Sequence, residues 1–527
     1  MPGATPALCS ALLAVLLISW AEPHAAASAL GARSGVPQAY KEVLGLTFRF
    51  YEAQRLGKLP AGNRIPCRRD GFLQDSVQGG WADAGDTIKH SLTTDRTHAG
   101  QLATAKASVR WGADYLQACH VAQYQFVGLI GDPDVDHNYW YRPEDFTGAR
   151  RTYTWDRAHA ASDLLGQTST ALTAASLLFS ADNATYAASL LATARHLYQW
   201  GVEVQGIYSV SYPGYPSDLY KSNRYRDKLM LAAAWLYRAT GNATYLTAAR
   251  THYQGEGGRG KSGEAGGGGG GAAALSPSSP LHLSSSCCLH ASLPVALLCL
   301  ACQFPTSFSH GCPPHVSSTP YVTYDSSHVP AAALLLDIAR QAGTAAVPGH
   351  AEYADFYATT FMRSHMDADG TWGITRTPLG MSRPDWSSWG NLGYSTSVAF
   401  MALLRARQLP AGDATRAAYI AYAKGQIDYA LAATRRSYVV GWGIRPPLRP
   451  HHRCASCPNL PAPCGEYQYD TVDPNPQVVY GALVGGPRGP GDNTYYDVRS
   501  DYVTNEVSLV YNAGFTGALA ALVQLLS

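Results

Sequence analysis

The chain has 527 residues, with 40 Lys and Arg against 38 Asp and Glu and a formal charge of +2. That balance gives no global field for nucleic acid, and the 15% of charged residues falls below the quarter usual in soluble proteins. The 33 Tyr and 11 Trp supply rings with an apolar face and a polar edge, which suit a sugar ring as well as an ordinary aromatic core.

From Ala7, ALCSALLAVLLISWA is an apolar run too short for a comfortable membrane span, and Ala25-Ala26-Ala27 follows it. Residues 1–27 read as a secretory signal peptide removed near Ala27. No later run is read as reaching transmembrane length, so the mature chain is expected to be secreted, extracellular and free of the membrane. The sequons Asn183-Ala184-Thr185 and Asn242-Ala243-Thr244 agree with export. Export also makes a disulfide expected among Cys67, Cys119, Cys454, Cys457 and Cys464, without saying which pair it joins.

Gly79–His90, GGWADAGDTIKH, holds two carboxylates, Asp83 and Asp86, on a stretch that its glycines bend into a loop. Two carboxylates held close can orient a water and take its proton. The same letters also describe an Asp-rich turn or a calcium loop.

Helical signals then repeat in pairs. Ser169–Ser180 precedes AASLLATARHLYQW, and Lys228–Thr240 precedes LTAARTHYQ, with Asn-Ala-Thr-Tyr at the boundary each time. Ser327–Gln341 with Glu352–His365, and Thr396–Gln408 with Ala414–Thr434, repeat the form. Hairpins of this kind bury their apolar faces on their neighbours, either in an open solenoid or in a closed all-α ring. Residues 255–318 break the pattern: a Gly/Ser-rich, then Cys-containing stretch that cannot form a packed core, read as a translated intron or an insertion.

Near the far end, SYVVGWGIRPPLRPHHRCASCP contains His451, His452, Cys454, Cys457 and later Cys464, which leaves a zinc reading open. Asn505-Glu506-Val507 is followed by Tyr511-Asn512-Ala513-Gly514-Phe515-Thr516-Gly517-Ala518. Alone, Glu506 reads as a first-turn helix residue complementing the dipole.

Together DAGD and the NE segment resemble the signature of family 9 glycoside hydrolases, the endoglucanase family. The likeness extends over Val36–Leu526, apart from the inserted and shortened parts, and implies an (α/α)6 barrel of helical hairpins. It implies a secreted inverting endo-β-1,4-glucanase acting on cellulose or related β-glucans; the chain is expected to act as a monomer, without cofactor or metal. Asp86 is then the general base, Asp83 the second carboxylate on the water, and Glu506 the general acid, its pKa raised by an apolar pocket or by carboxylates such as Asp497 and Asp501. His451 and Arg453 are expected to donate hydrogen bonds to sugar hydroxyls. Trp81, His137, Trp140, Trp389, Tyr394, Tyr511 and Asp497 are expected around the substrate.

Departures from the family also stand in the sequence. Gly393 replaces an Arg in the WGNLGY segment, and Tyr324 replaces a Trp. The calcium pattern SGYxDE reads NRYRDK, placing Lys228 where a carboxylate ligand belongs and arguing against calcium there. An apolar helix after Lys89 is expected to be missing or shortened. These departures keep a second reading open, a catalytically impaired β-glucan binder.

Overall fold

The computed structural model describes residues 38–91, 102–215, 220–257, 320–433 and 435–527. The signal peptide and nearly all of the 255–318 segment lie outside the described residues, and the expected missing helix falls on 92–101, which also lie outside them.

The helices of the barrel are α1 (Gln38–Ala53), α2 (Leu102–Cys119), α3 (Ser162–Phe179), α4 (Ala184–Glu203), α5 (Arg226–Thr240), α6 (Thr244–Gly257) and α7 (His328–Ala342). Next come α8 (His350–Asp355), which runs through a π-helical stretch, Phe356–Met362, then α9 (Asn391–Gln408), α10 (Ala414–Asp428) and α11 (Leu509–Leu526). The predicted hairpins are therefore α3–α4, α5–α6, α7–α8 and α9–α10. Asn183 caps α4 by accepting from the Tyr186 N–H at 3.0 Å, and Gly241 ends α5 in the left-handed region.

Burial separates two layers. Helices α3, α5, α7, α9 and α11 are buried over most of their residues, and each packs on the next: α3 on α5, α5 on α7, α7 on α9, α9 on α11. The ring closes as α11 packs on α1, α1 on α2 and α2 on α3. This is the all-α (α/α)6 barrel. Helix α11 is long and apolar enough to cross a membrane, contrary to the expectation that no later run would be. Its buried positions, from Leu509 to Leu522, lie in the core against α9 and α1.

A small antiparallel sheet, β1 (Lys89–His90), β2 (His120–Ala122), β3 (Gln125–Ile130) and β4 (Thr152–Asp156), supports the loop ahead of it: β1 pairs with β3, and β3 with β4. Behind it, Lys89 Nζ and Arg150 Nε both meet the buried Asp75 carboxylate at 2.8 Å. Two disulfides, Cys67–Cys454 and Cys457–Cys464, tie down the Pro-His-His-Arg segment, while Cys119 is buried outside any disulfide. They also overturn the zinc reading, because three of its ligands are oxidised and His452 Nε2 is hydrogen-bonded to Gln54 at 2.7 Å.

Candidate active site

One cleft of about 550 Å³ opens over the ring. The 79–90 loop provides its floor. Gln54, at the end of α1, donates to the carbonyls of Ala82 and Ala84, at 3.0 and 2.6 Å, and so shapes the loop from below. Asp83 carbonyl accepts from Leu509 N–H at 2.8 Å, joining the loop to the start of α11. His451 and Glu506 form a parallel backbone bridge, and Gly485 N–H donates to the Glu506 carbonyl at 3.0 Å. Three distant segments thus converge, and Asp83, Asp86 and Glu506 all line one cleft.

Burial and neighbouring charge act on two of these carboxyls, Glu506 and Asp83. Burial first, and Asp86 next, push Glu506 up to about 8, against His137, the Gly85 N–H and a hydrogen bond from Trp389. Asp497 and Asp501 are employed elsewhere. Asp497 accepts from the Leu448 and Arg449 N–H groups at 2.8 and 2.9 Å, and Asp501 caps a short helix and meets Arg488 at 2.6 Å. Asp83 is pushed well above the ordinary range by burial, Asp86 and Glu506, with a hydrogen bond from Tyr220 opposing. Asp86 Oδ2 lies 3.2 Å from His137 Nε2. Burial draws the His137 pKa down, but the hydrogen bond and charge of Asp86 outweigh it and the net shift is upward.

His137, Trp140, Trp389, Tyr394, His451, Arg453 and Tyr511 also line the cleft. Trp81 does not. It is fully buried, its ring against α2, where a Cβ on Gly112 would lie 2.4 Å from it, so the Trp packs beneath the loop. Asp497 does not line the cleft either, since its carboxylate holds the 448–449 backbone.

Two residues face the cleft in roles other than those expected. Arg453 is 2% exposed, and its guanidinium donates to the Asp136 carboxylate and carbonyl, both at 2.5 Å, so these donors serve the protein. Its charge holds Asp136 below the usual carboxylate range despite burial. His451 Nδ1 lies 2.8 Å from the Arg499 carbonyl and must carry the proton there, and burial lowers its pKa to about 4. The neutral ring therefore keeps Nε2 as an acceptor, the reverse of the donor expected.

Tyr220, Glu466 and Tyr469 are among the cleft residues that sequence reasoning missed. Tyr220 bonds Asp83 through its hydroxyl, Glu466 accepts from the Trp140 N–H at 2.6 Å, and Tyr469 packs its ring 5.0 Å from Trp140. The loop around Tyr220 and the Cys-rich turn before Glu466 carry no periodicity or motif that signals them. Asp86, Asp136 and His137 bring ligand-type atoms within 4.8 Å of one another, but the Asp136 carboxylate is already engaged by Thr87, Tyr141 and Arg453. That set does not fit a resident metal.

The chain matches the family described as glycosyl hydrolase family 9 over residues 40–268 and 304–519. It is 31% identical over 526 residues to Endoglucanase 5 of Arabidopsis thaliana, across 92% of this chain and 74% of that one. An endoglucanase structure from the termite Nasutitermes takasagoensis superposes with a TM-score of 0.73 at 34% identity, covering 92% of this chain and 99% of that one. Endoglucanase CelQ from Clostridium thermocellum, complexed with cellobiose and cellotriose, gives a TM-score of 0.67 at 28% identity, over 92% of this chain and 70% of that one.

Proposed function

The chain belongs to glycosyl hydrolase family 9 and is a glycoside hydrolase; from that membership we propose that it cuts β-1,4-glucans internally, with inversion at the anomeric carbon. Asp86 takes a proton from the attacking water, Asp83 holds that water, and Glu506 protonates the leaving oxygen. The observation that carries these roles is the Glu506 carboxyl, held protonated to about pH 8 on the same cleft as the Asp86 carboxylate. An acid that keeps its proton at neutral pH is what the leaving oxygen requires.

Glucan rings stack on Trp389, Tyr394 and Tyr511. His451 accepts from a sugar hydroxyl through Nε2, and His137 keeps Asp86 oriented. Arg453 acts one step back, fixing Asp136 and the short helix before His137. The cello-oligosaccharides bound in the CelQ structure support a β-1,4-glucan as substrate. Export through a signal peptide ending near Ala27 belongs to the same reading, supported by two disulfides that suit an oxidising compartment. So does a catalytic domain over 36–526 interrupted at 255–318, acting as a monomer.

The test is the anomer released first. Proton NMR of a fresh digest of soluble cellulose, read before mutarotation, is expected to show α product. Initial β product would exclude the water-activating role given to Asp83 and Asp86. Retained glucan binding with no new reducing ends would mark the chain as a binder.

A further inference from the structure

Lys228, at the start of α5, is wholly buried, and its ammonium is surrounded by oxygens. Nζ lies 2.7 Å from Asp325 Oδ1, 3.1 Å from the Arg224 carbonyl and 3.2 Å from Asp227 Oδ1, and it also donates to the Asp325 carbonyl. Four oxygens from three residues surround a group with only three hydrogens. Two carboxylates and two carbonyls form the kind of shell that hard divalent cations take, and the ammonium stands at its centre.

The surroundings are built around that charge. Ser222 Oγ donates to Asp325 Oδ1 at 2.6 Å, and Asn223 N–H to Asp325 Oδ2 at 3.0 Å. Ser327 N–H donates to Asp227 Oδ2 at 2.6 Å, while Asp227 Oδ1 has no hydrogen bond and lies 3.2 Å from Lys228 Nζ, the nearest of the charges that act on it, with Arg224 and His328 beyond. A third buried carboxyl, Asp163, also feels the Lys228 charge. Two carboxylates against one ammonium leave one negative charge. A carboxylate at position 228, as the calcium pattern has it, would make three with Asp227 and Asp325 around a divalent cation and leave the same balance.

The joint matters to the cleft. It fastens the 222–228 segment to the 325–327 segment, and the cleft-lining Tyr220, Val322, Thr323 and Tyr324 lie just beside these two segments. Tyr220 and Tyr324 meet there with rings 5.2 Å apart, and the Tyr220 hydroxyl reaches Asp83. A metal at this point does not fit while Lys228 is present.

We propose that the Lys228 ammonium is a covalently carried substitute for a bound divalent cation, so that this wall of the cleft assembles without metal. The long stem delivers the charge, and the backbone carbonyls of Arg224 and Asp325 complete its shell. Removing the ammonium while restoring a carboxylate converts the joint into a real cation site.

The test is the melting temperature of the full chain in EDTA and in millimolar calcium chloride. The native chain is expected to melt at the same temperature in both. Lys228→Glu is expected to melt lower in EDTA and to rise by about 3–5 °C or more in calcium. Lys228→Met, which keeps the stem and loses the charge, is expected to melt lower in both alike. Should Lys228→Glu fail to fold in either buffer, Lys228→Ser carries the comparison, because its empty shell keeps two carboxylates and two carbonyls; a calcium-dependent rise supports the proposal. A native chain that loses stability in EDTA and regains it in calcium would overturn it. So would the absence of a calcium response in both Lys228→Glu and Lys228→Ser.

Discussion

The backbone N–H of Arg453 donates to the Gly85 carbonyl over 3.0 Å, so the loop carrying Asp83 and Asp86 lies directly against the segment carrying His451. No side chain fits between them: a Cβ on Gly85 would stand 2.2 Å from the His451 carbonyl oxygen. The disulfide Cys67–Cys454 fastens the same segment from the other side.

Gly85→Ala is therefore expected to push the two segments apart by a few tenths of an ångström to an ångström. A displacement of that size costs about 100-fold in rate when it misplaces reacting groups. Kinetics on soluble cellulose, with circular dichroism to confirm the fold, check this. Unchanged kcat/KM in the folded variant would show that the contact is slack.

Glu506 links activity to stability through pH. The unfolded carboxyl titrates near 4.3, whereas the folded one is held at about 8 by burial and Asp86. Between those values the unfolded chain has released a proton that the folded chain keeps, so stability falls as pH rises through that window and levels off above it. Glu506→Gln has no such proton, and its Tm relative to the native chain should climb steadily across the same window. A constant difference would mean that Glu506 titrates normally. The native alkaline limb of activity should fall near pH 8, and the variant should spare only substrates with very good leaving groups.

Asp86→Asn removes the proposed base and the partner of His137 together. Turnover is expected to drop by about 10²–10⁴-fold. The His137 ring should also titrate lower than in the native chain, since its burial stays while the charge of Asp86 is gone and only Asp136 still raises it. NMR of the imidazole reads this independently of activity. A His137 titration that did not move would break the pairing.

Gly393 leaves room for Tyr511, whose ring would lie 2.5 Å from a Cβ placed there. Restoring the Arg that Gly393 replaces is therefore not a simple gain of a sugar contact. Gly393→Ala should destabilise by about 1–3 kcal/mol through overpacking. Tyr511→Leu should relieve much of that, giving a non-additive double-mutant cycle. Additive losses would place the strain elsewhere.

Much of this was legible from spacing and motif. The hairpins announce themselves because an apolar face repeating every turn, stopped in two of them by Asn-Ala-Thr-Tyr, leaves the backbone few alternatives. The carboxylates are legible because DAGD and NE, far apart in sequence, together resemble one family's signature, and the fold brings them to one cleft. Trp81 misleads because a ring beside a functional loop looks the same in sequence whether it faces substrate or core; Gly112, on a separate helix, decides. Asp497 sits near Glu506 in sequence but spends its charge on the backbone at 448–449. Tyr220 and Glu466 carry no local pattern, and only the folded chain brings them to the cleft. Lys228 was readable as a lost ligand, but its use as the ion itself depends on carbonyls that sequence does not position.

The ring shuts where α1 meets α11, and Glu506 lies 420 residues after Asp86, just ahead of that closing helix. At translation rates of about 5–20 residues per second, roughly 20–80 s separate the synthesis of the two. Throughout that interval the emerging chain holds the loop with both aspartates and nothing to close against. Its unsealed edge, the apolar faces of α1 and α9, waits for a helix not yet made. The cleft is thus incomplete for as long as the chain is being made, and the chain is most exposed to misassociation in the same minute.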